Sequence, residues 1–440
     1  MPNLAFPSRA RPFARTATSL ALAGALILAW ADSQAAGAVW SAAATLASDS
    51  QTQGILNPAI AANTVGQKLA VWVQGGQVQA RFYANGAWGA PVVLSQATLG
   101  VASPTVALAD DGKAVVGWIQ TQGSGTSSLE AAFLANGSWS LPVMVSNASI
   151  TVASPKVGLS GSGQATLAWS EVDGTGTQCA IQAATGSVAG GWSQPQTLAN
   201  ACHSFVSLSV NAAGEAVAGW GDINYLTGAG VYVATRDPAG TWTGVTELAP
   251  PQYRQYLPSF SMGEDGTAVA VWVNTYTGLM YSRKRPGANW SAAGTAYAGM
   301  SNIASLSDVT VDGQGNATAV FLTWTMLPTG AIAYPLQSAQ LKKAANTWSK
   351  PIYVTAKNQN IYNFSVEASS AGSLGVAWSD GGTGKTGVAT MLPGETRWTN
   401  ATLGKGGYEV SLDMAAGNAA LLWNNTYAPV SLYASTAVTP

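Results

Sequence analysis

The stretch PTVALADDGKAVVGWIQTQGSGTSSLEAAFLANGSWSLPVMV, residues 104–145, reads as four short strands joined by turns. Pro104 to Ala109 is an alternating apolar run. Asp110-Asp111-Gly112 is a hairpin turn, because Gly tolerates positive φ. Ala114 to Trp118 is a second strand, with Ala114, Val116 and Trp118 on one face and Val115 and Gly117 on the other. A strand apolar on both faces is sandwiched between sheets. The polar loop Thr121 to Ser128 leads to a third strand, Leu129 to Phe133. Asn136-Gly137 then turns the chain into Trp139 to Val145. Four antiparallel strands joined in this way make one propeller blade.

The unit recurs along the chain. Gly followed six residues later by Trp occurs at Gly66/Trp72, Gly112/Trp118, Gly163/Trp169, Gly214/Trp220, Gly266/Trp272, Gly372/Trp378 and Gly417/Trp423, and Gly315/Phe321 has the same spacing. A second series, Trp40, Trp88, Trp139, Trp192, Trp242, Trp290, Trp348 and Trp398, marks the entry to each fourth strand. Of the 17 tryptophans only Trp30 and Trp324 lie outside these series. Members stand about 50 residues apart, a period that means a repeat architecture. Recurrence at one place per repeat assigns these rings to the packing between blades rather than to sugar stacking. The repeats fall near 57–95, 103–146, 154–199, 205–249, 257–298, 306–356, 363–404 and 408–438. The last holds three strands, and residues 39–47 resemble a lone fourth. The expected fold is therefore an all-β propeller of four-stranded antiparallel blades, eight in number. The N-terminal strand would complete the last blade and remove an exposed edge.

Composition narrows the class. The 440 residues include 19 Lys and Arg and 20 Asp and Glu, a formal net charge of −1. No basic stripe is present for nucleic acid. After the first 35 residues no apolar run is long enough to span a bilayer. Residues 1–35 read as a signal peptide: Arg9, Arg11 and Arg15, then the apolar stretch Thr18 to Ala31, then Ser33-Gln34-Ala35 as a cleavage site. Residues 36–440 are expected as one domain, monomeric, in the periplasm or outside the cell. Cys179 and Cys202 are expected on one rim of the propeller, and in an oxidising compartment a disulfide is the default. Its loop of about two dozen residues corresponds to roughly 3 kcal/mol in the chain-entropy picture. Thiol titration of the exported, denatured protein should find no free thiol; two reactive thiols would rule the bridge out.

Thr235-Arg236-Asp237-Pro238-Ala239-Gly240-Thr241-Trp242 looks like a relaxed Asp-box, with its Gly one place late, and Asn85-Gly86-Ala87-Trp88 keeps only the end of that motif. The chain thus resembles secreted bacterial propellers of the sialidase-like superfamily. The resemblance implies a fold and no particular activity. A sialidase would gather several arginines on its substrate face. Arg81, Arg236, Arg283, Arg285 and Arg397 fall instead on third strands or the turns after them, leaving only Arg254 in a loop of the ligand-type rim.

Sequence offers no catalytic set. His203 is the sole histidine, adjacent to Cys202 with no orienting third group, and no zinc or calcium spacing occurs. No cofactor is implied. The loops joining second to third strands, and those joining blades, are long, uncharged and aromatic-bearing, with Tyr362 and Tyr427 among their rings. Function in a rigid scaffold tends to sit on such loops. The expected ligand-binding sector is Tyr225, Tyr253, Arg254, Tyr256, Tyr276 and Trp324, suited to a glycan or a protein partner. The reading favoured by sequence is a non-enzymatic binding module. The alternatives are a carbohydrate-active hydrolase or lyase using rim carboxylates (Asp49, Glu171, Asp173, Asp222, Asp380), or a structural or adhesive envelope protein.

Overall fold

The computed structural model describes residues 38–439 apart from 51–53, 97–99, 123–124, 148–149, 174–178, 201–202, 225–227, 253–257, 275, 299–302 and 426–428. Residues 1–35, expected as a signal peptide, and Cys202 therefore lie outside the described residues. Cys179 opens the strand Cys179–Ser187.

The described chain is all strand and turn. Its strands form four-strand antiparallel sets in chain order, the blades of a β-propeller. The innermost strands are Ile55–Ala62, Val101–Leu108, Ile150–Leu159, His203–Val210, Ser259–Met262, Ile303–Val311, Ile361–Ala368 and Val410–Ala415. We number the blades 1 to 8 in that order. In blade 8 the outer strand comes from the other end of the chain. Val39–Trp40 and Ala44–Asp49 pair with Val430–Val438, with Trp40 opposite Ala437 and Thr45 opposite Tyr433. Blade 6 carries an extra hairpin, Thr325–Met326 with Ile332–Ala333, between its second strand and the strand Leu336–Leu341.

Packing follows the two aromatic series. Trp72, Trp118, Trp169, Trp220, Trp272, Phe321 and Trp423 are fully buried, and Trp378 nearly so. Each stands on a second strand, clamped between its own blade and a neighbour. One core cluster joins blade 8 to blade 1 through Leu46, Ile55, Trp72, Leu422 and Leu432. Others join consecutive blades, as Leu129, Val152, Leu167 and Trp169 join blades 2 and 3. The second series leans on the preceding blade and, apart from the buried Trp242, is only partly covered. Trp192 stacks on Phe133 at 5.3 Å, and the Trp398 indole N–H donates to Ser338 Oγ at 2.9 Å. Sequence treats Trp139 to Val145 as one strand. The structure breaks it into Ser138–Trp139 and Val143–Met144. Pro142 has no N–H for the ladder, and Leu141 turns outward, 85% exposed.

Candidate functional site

Strand register brings one set of side chains to the propeller axis. On each inner strand, one residue pairs with the position just before the recurring Trp or Phe, at an equivalent place beside the axis. These are Ala59, Thr105, Lys156, Ser207, Ser259, Asp308, Ser365 and Ser411. Two residues on, the strand period returns to the same face, at Ala61, Ala107, Gly158, Ser209, Ser261, Thr310, Glu367 and Asp413. Two rings thus circle the axis, one below the other.

Most of the polar members stitch one blade to the next. Among the described residues, adjacent inner strands run side by side with no backbone ladder between them, and their edge N–H groups need other acceptors. Thr105 Oγ1 accepts from Val157 N–H at 3.2 Å, Ser261 Oγ from Val311 at 3.0 Å and Ser411 Oγ from Ile60 at 3.2 Å. Asp308 accepts from Val309 N–H at 2.8 Å and from Val366 N–H across the blade boundary. Asp413 accepts from Ala62 N–H at 2.6 Å and from its neighbour Met414 at 2.9 Å. Glu367 is the exception. The N–H that register would offer it, that of Met414, is already taken, and among the described residues no donor reaches its carboxyl.

The electrostatics follow from this placement. The channel carboxyls touch water yet are walled by protein on every side, which disfavours their charged forms. Burial pushes Asp413 up to about 6 despite its two hydrogen bonds. Burial also raises Asp308. Glu367 is pushed well above the usual carboxylate range, first by burial and then by the charges of Asp413 and Asp308. Burial pulls Lys156 down, opposed by Asp308. Glu367 and Asp413 stand on adjacent blades of one ring, so a carboxyl that holds its proton more tightly than usual sits beside one that gives its own up near pH 6.

These groups are open to the loop-bearing end of the propeller. A cavity of about 760 Å³ is lined there by Asn57, Ser103, Ser154, Lys156, Asp308, Glu367 and Asp413. A second, of about 700 Å³, opens on the tight-turn face, and Glu367 lines both. The loop-side mouth is strained. Asn57, Ser103 and Ser154, each directly before a proline, hold φ near +50° at bulges in the inner strands. Such positions cost roughly 1 kcal/mol or more and cluster at functional sites. Asn57 is held by Glu409, which accepts from its backbone N–H at 2.9 Å and its side-chain amide at 3.2 Å.

The residues expected from sequence fare unevenly. Tyr225, Tyr253, Arg254, Tyr256 and Tyr427 lie outside the described residues. Tyr276 is exposed in the turn after Ala268–Asn274, its N–H donating to Asn274 Oδ1 at 3.0 Å. Trp324 is half-buried at the base of the extra hairpin of blade 6. Among the rim carboxylates, Glu171 is buried and accepts from the Trp169 indole at 3.0 Å and Gln182 at 2.8 Å. Asp380 is 2% exposed and braces its own turn through Gly382 N–H and the Thr383 hydroxyl, both at 2.9 Å. Both serve as internal braces. Asp49 is buried and Asp173 half-buried; the side chain of Asp222 is outside the described residues. Among the described residues no arginine lines either cavity. Arg236 is buried between blades 3 and 4, donating to Gln164 Oε1 at 2.7 Å and Thr166 Oγ1 at 3.1 Å.

The blades and their register define a β-propeller, which is a statement of fold and not of activity. No family model and no curated protein matches the chain. Solved structures do. An ulvan lyase shares 11% identity over 90% of this chain and 95% of its own, with a TM-score of 0.49. An α-L-arabinanase from Penicillium chrysogenum, complexed with arabinobiose, shares 14% identity over 64% of this chain and 92% of its own, TM-score 0.41. The NanB sialidase of Streptococcus pneumoniae shares 9% over 72% and 80%, TM-score 0.39. The expectation of a non-enzymatic binding module is corrected by this result. The similar structures are mostly carbohydrate-active enzymes, and the alternative of a hydrolase or lyase agrees with them better. At 9–15% identity the likeness itself extends to the fold and not to an activity.

Proposed function

We propose that the chain is an exported carbohydrate-active enzyme whose acid group is Glu367, working from the loop-side mouth of the axial channel. One observation carries the reading: Glu367 is a channel carboxyl kept protonated by its surroundings and left out of the blade-to-blade hydrogen bonding. A protonated carboxyl is what a glycosidic oxygen needs as it leaves. Asp413 supplies the ionised partner that cleavage by hydrolysis requires. Lys156, in the ring above, favours a second reading. A lyase needs a cation against the carboxylate of a uronic acid, and Lys156 is placed to supply it.

The experiment is a panel of neutral and uronate-bearing polysaccharides, scored for reducing ends and for unsaturated products. Wild-type protein should cleave at least one of them. Glu367→Gln should lower turnover by about 100-fold or more without lowering the melting temperature. The pH profile should fall on its acid side near pH 6, where Asp413 takes up its proton. An inert wild-type protein, or a fully active Glu367→Gln variant, would refute the assignment.

A further inference from the structure

At the outer end of the strand that carries Glu367, one aromatic ring is seated in an unusual way. Tyr362 is the second residue of Ile361–Ala368, at a register shift between Ile361 and Asn363. A bulge of this kind re-aims a side chain. Its neighbour is Gly381. A Cβ built on Gly381 would lie 2.0 Å from Tyr362 Cε2 and 2.4 Å from both Cδ2 and Cζ. A point beside the ring edge could not be that near all three atoms. These are the distances of a point directly above the ring plane. The ring therefore lies face-on against the glycine, in space that any other residue would fill. Its opposite face is open, and the residue is 68% exposed.

The seat is rigid. Gly381 N–H donates to Asn360 O at 2.8 Å, locking the two segments together. Asp380 holds the following turn through Gly382 and Thr383 and also accepts from Gln359 Nε2 at 3.1 Å. Asn360 Oδ1 accepts from Tyr334 N–H at 3.2 Å. Among the described residues the Asn360 amide NH₂ and the Tyr362 hydroxyl make no hydrogen bond, so both remain available to a ligand. Tyr362 stands five residues from Glu367 along one strand, roughly 16 Å at the strand rise.

We propose that Tyr362, seated on Gly381 and flanked by the Asn360 amide, is a stacking subsite for one sugar ring of a glycan that continues into the channel. The chemistry selects a sugar. A pyranose or furanose offers an apolar face to the tyrosine and hydroxyls to the amide. A ring already fixed on one side loses little freedom when its other face is covered. The proposal rests on the reading of the channel as a carbohydrate-processing site and adds where the chain of sugars is gripped.

The test is affinity electrophoresis through gels containing arabinan, xylan, laminarin, pectate or alginate. The wild type should be retarded by at least one. Tyr362→Ala and Gly381→Ala should each weaken that retardation roughly five- to tenfold, the scale of one aromatic contact. Gly381→Ala acts by displacing the ring. Tyr362→Trp should retain retardation, and so should Glu367→Gln. Unchanged migration of Tyr362→Ala, or a wild-type protein retarded by none of the gels, overturns the subsite. A Glu367→Gln variant that still cleaves would overturn the catalytic assignment alone, because retardation and its loss in Tyr362→Ala are read independently of turnover.

Discussion

A chain lacking residues 36–48 should melt far below the full-length protein and become sensitive to protease in blade 8. The deletion removes the strands that cover one edge of Val430–Val438. It also takes away Leu46, 6% exposed in the core cluster between blades 8 and 1, and Trp40, which packs against the cluster between blades 7 and 8. Polar contacts go with them. The Ser41 N–H donates to Thr436 O at 2.8 Å, and Arg81 Nη1 donates to Leu46 O at 2.7 Å. Several backbone hydrogen bonds at ~1 kcal/mol each and a buried leucine at ~2 kcal/mol sum to on the order of 5 kcal/mol or more. That is much of the stability of an ordinary domain. The bare edge would also invite pairing with a second molecule. Differential scanning fluorimetry and limited proteolysis read the effect, and a synthetic peptide spanning 36–50 should restore part of the lost melting temperature. A truncated protein that melts with the full-length one would show that the strand is dispensable.

The second large effect concerns pH. Asp413 titrates at about 6 in the folded protein and near 3.9 when unfolded. The native state therefore holds this proton more tightly. Stability from this group is fully present below pH 4 and is lost as pH rises through 4 to 6, at a cost of about 2–3 kcal/mol. Glu367, also raised well above its ordinary range, adds to that loss. Replacing it by Gln should raise the melting temperature at pH 8, leave it little changed at pH 4, and flatten the curve between. Differences between variant and wild type isolate the channel groups from surface acids such as Asp265, whose folded-state pKa is lowered by Lys343 and by bonds from Thr267, against the opposing pull of burial. A wild type and a Glu367→Gln variant with parallel curves would show that the channel carboxyl ionises normally.

The fold was legible because packing between blades imposes one solution at every repeat. A large ring six residues after the turn glycine fills the same hole each time, and Phe321 shows that the hole matters more than the indole. The rim residues were a different matter. Length and polarity of loops directed attention to Glu171 and Asp380, which are acids that brace strand ends. The channel acids sit inside strands, where alternation makes an occasional polar residue unremarkable. A signal was nonetheless present. At the axial position other blades carry small or hydroxyl residues, such as Ala59, Thr105, Ser207, Ser259, Ser365 and Ser411. Lys156 and Asp308 depart from that pattern, as do Glu367 and Asp413 two residues further on. Aligning inner strands on the tryptophan, rather than reading loops, would have exposed all four. What that alignment could not supply is which acid is left without a hydrogen-bond partner, because that depends on where Met414 directs its N–H.

Pairing of Val39 with Val438 has a kinetic side. Contacts between residues so far apart in the chain form slowly, although the entropic cost of closing the loop grows only with its logarithm. Seven blades can build their hairpins from local sequence as the chain emerges. Val39–Trp40 precedes every blade in the chain yet must wait for Val430–Val438 before it can dock. Until then the molecule is an open chain of blades with two unsealed edges, soluble only so long as it is kept from its own kind.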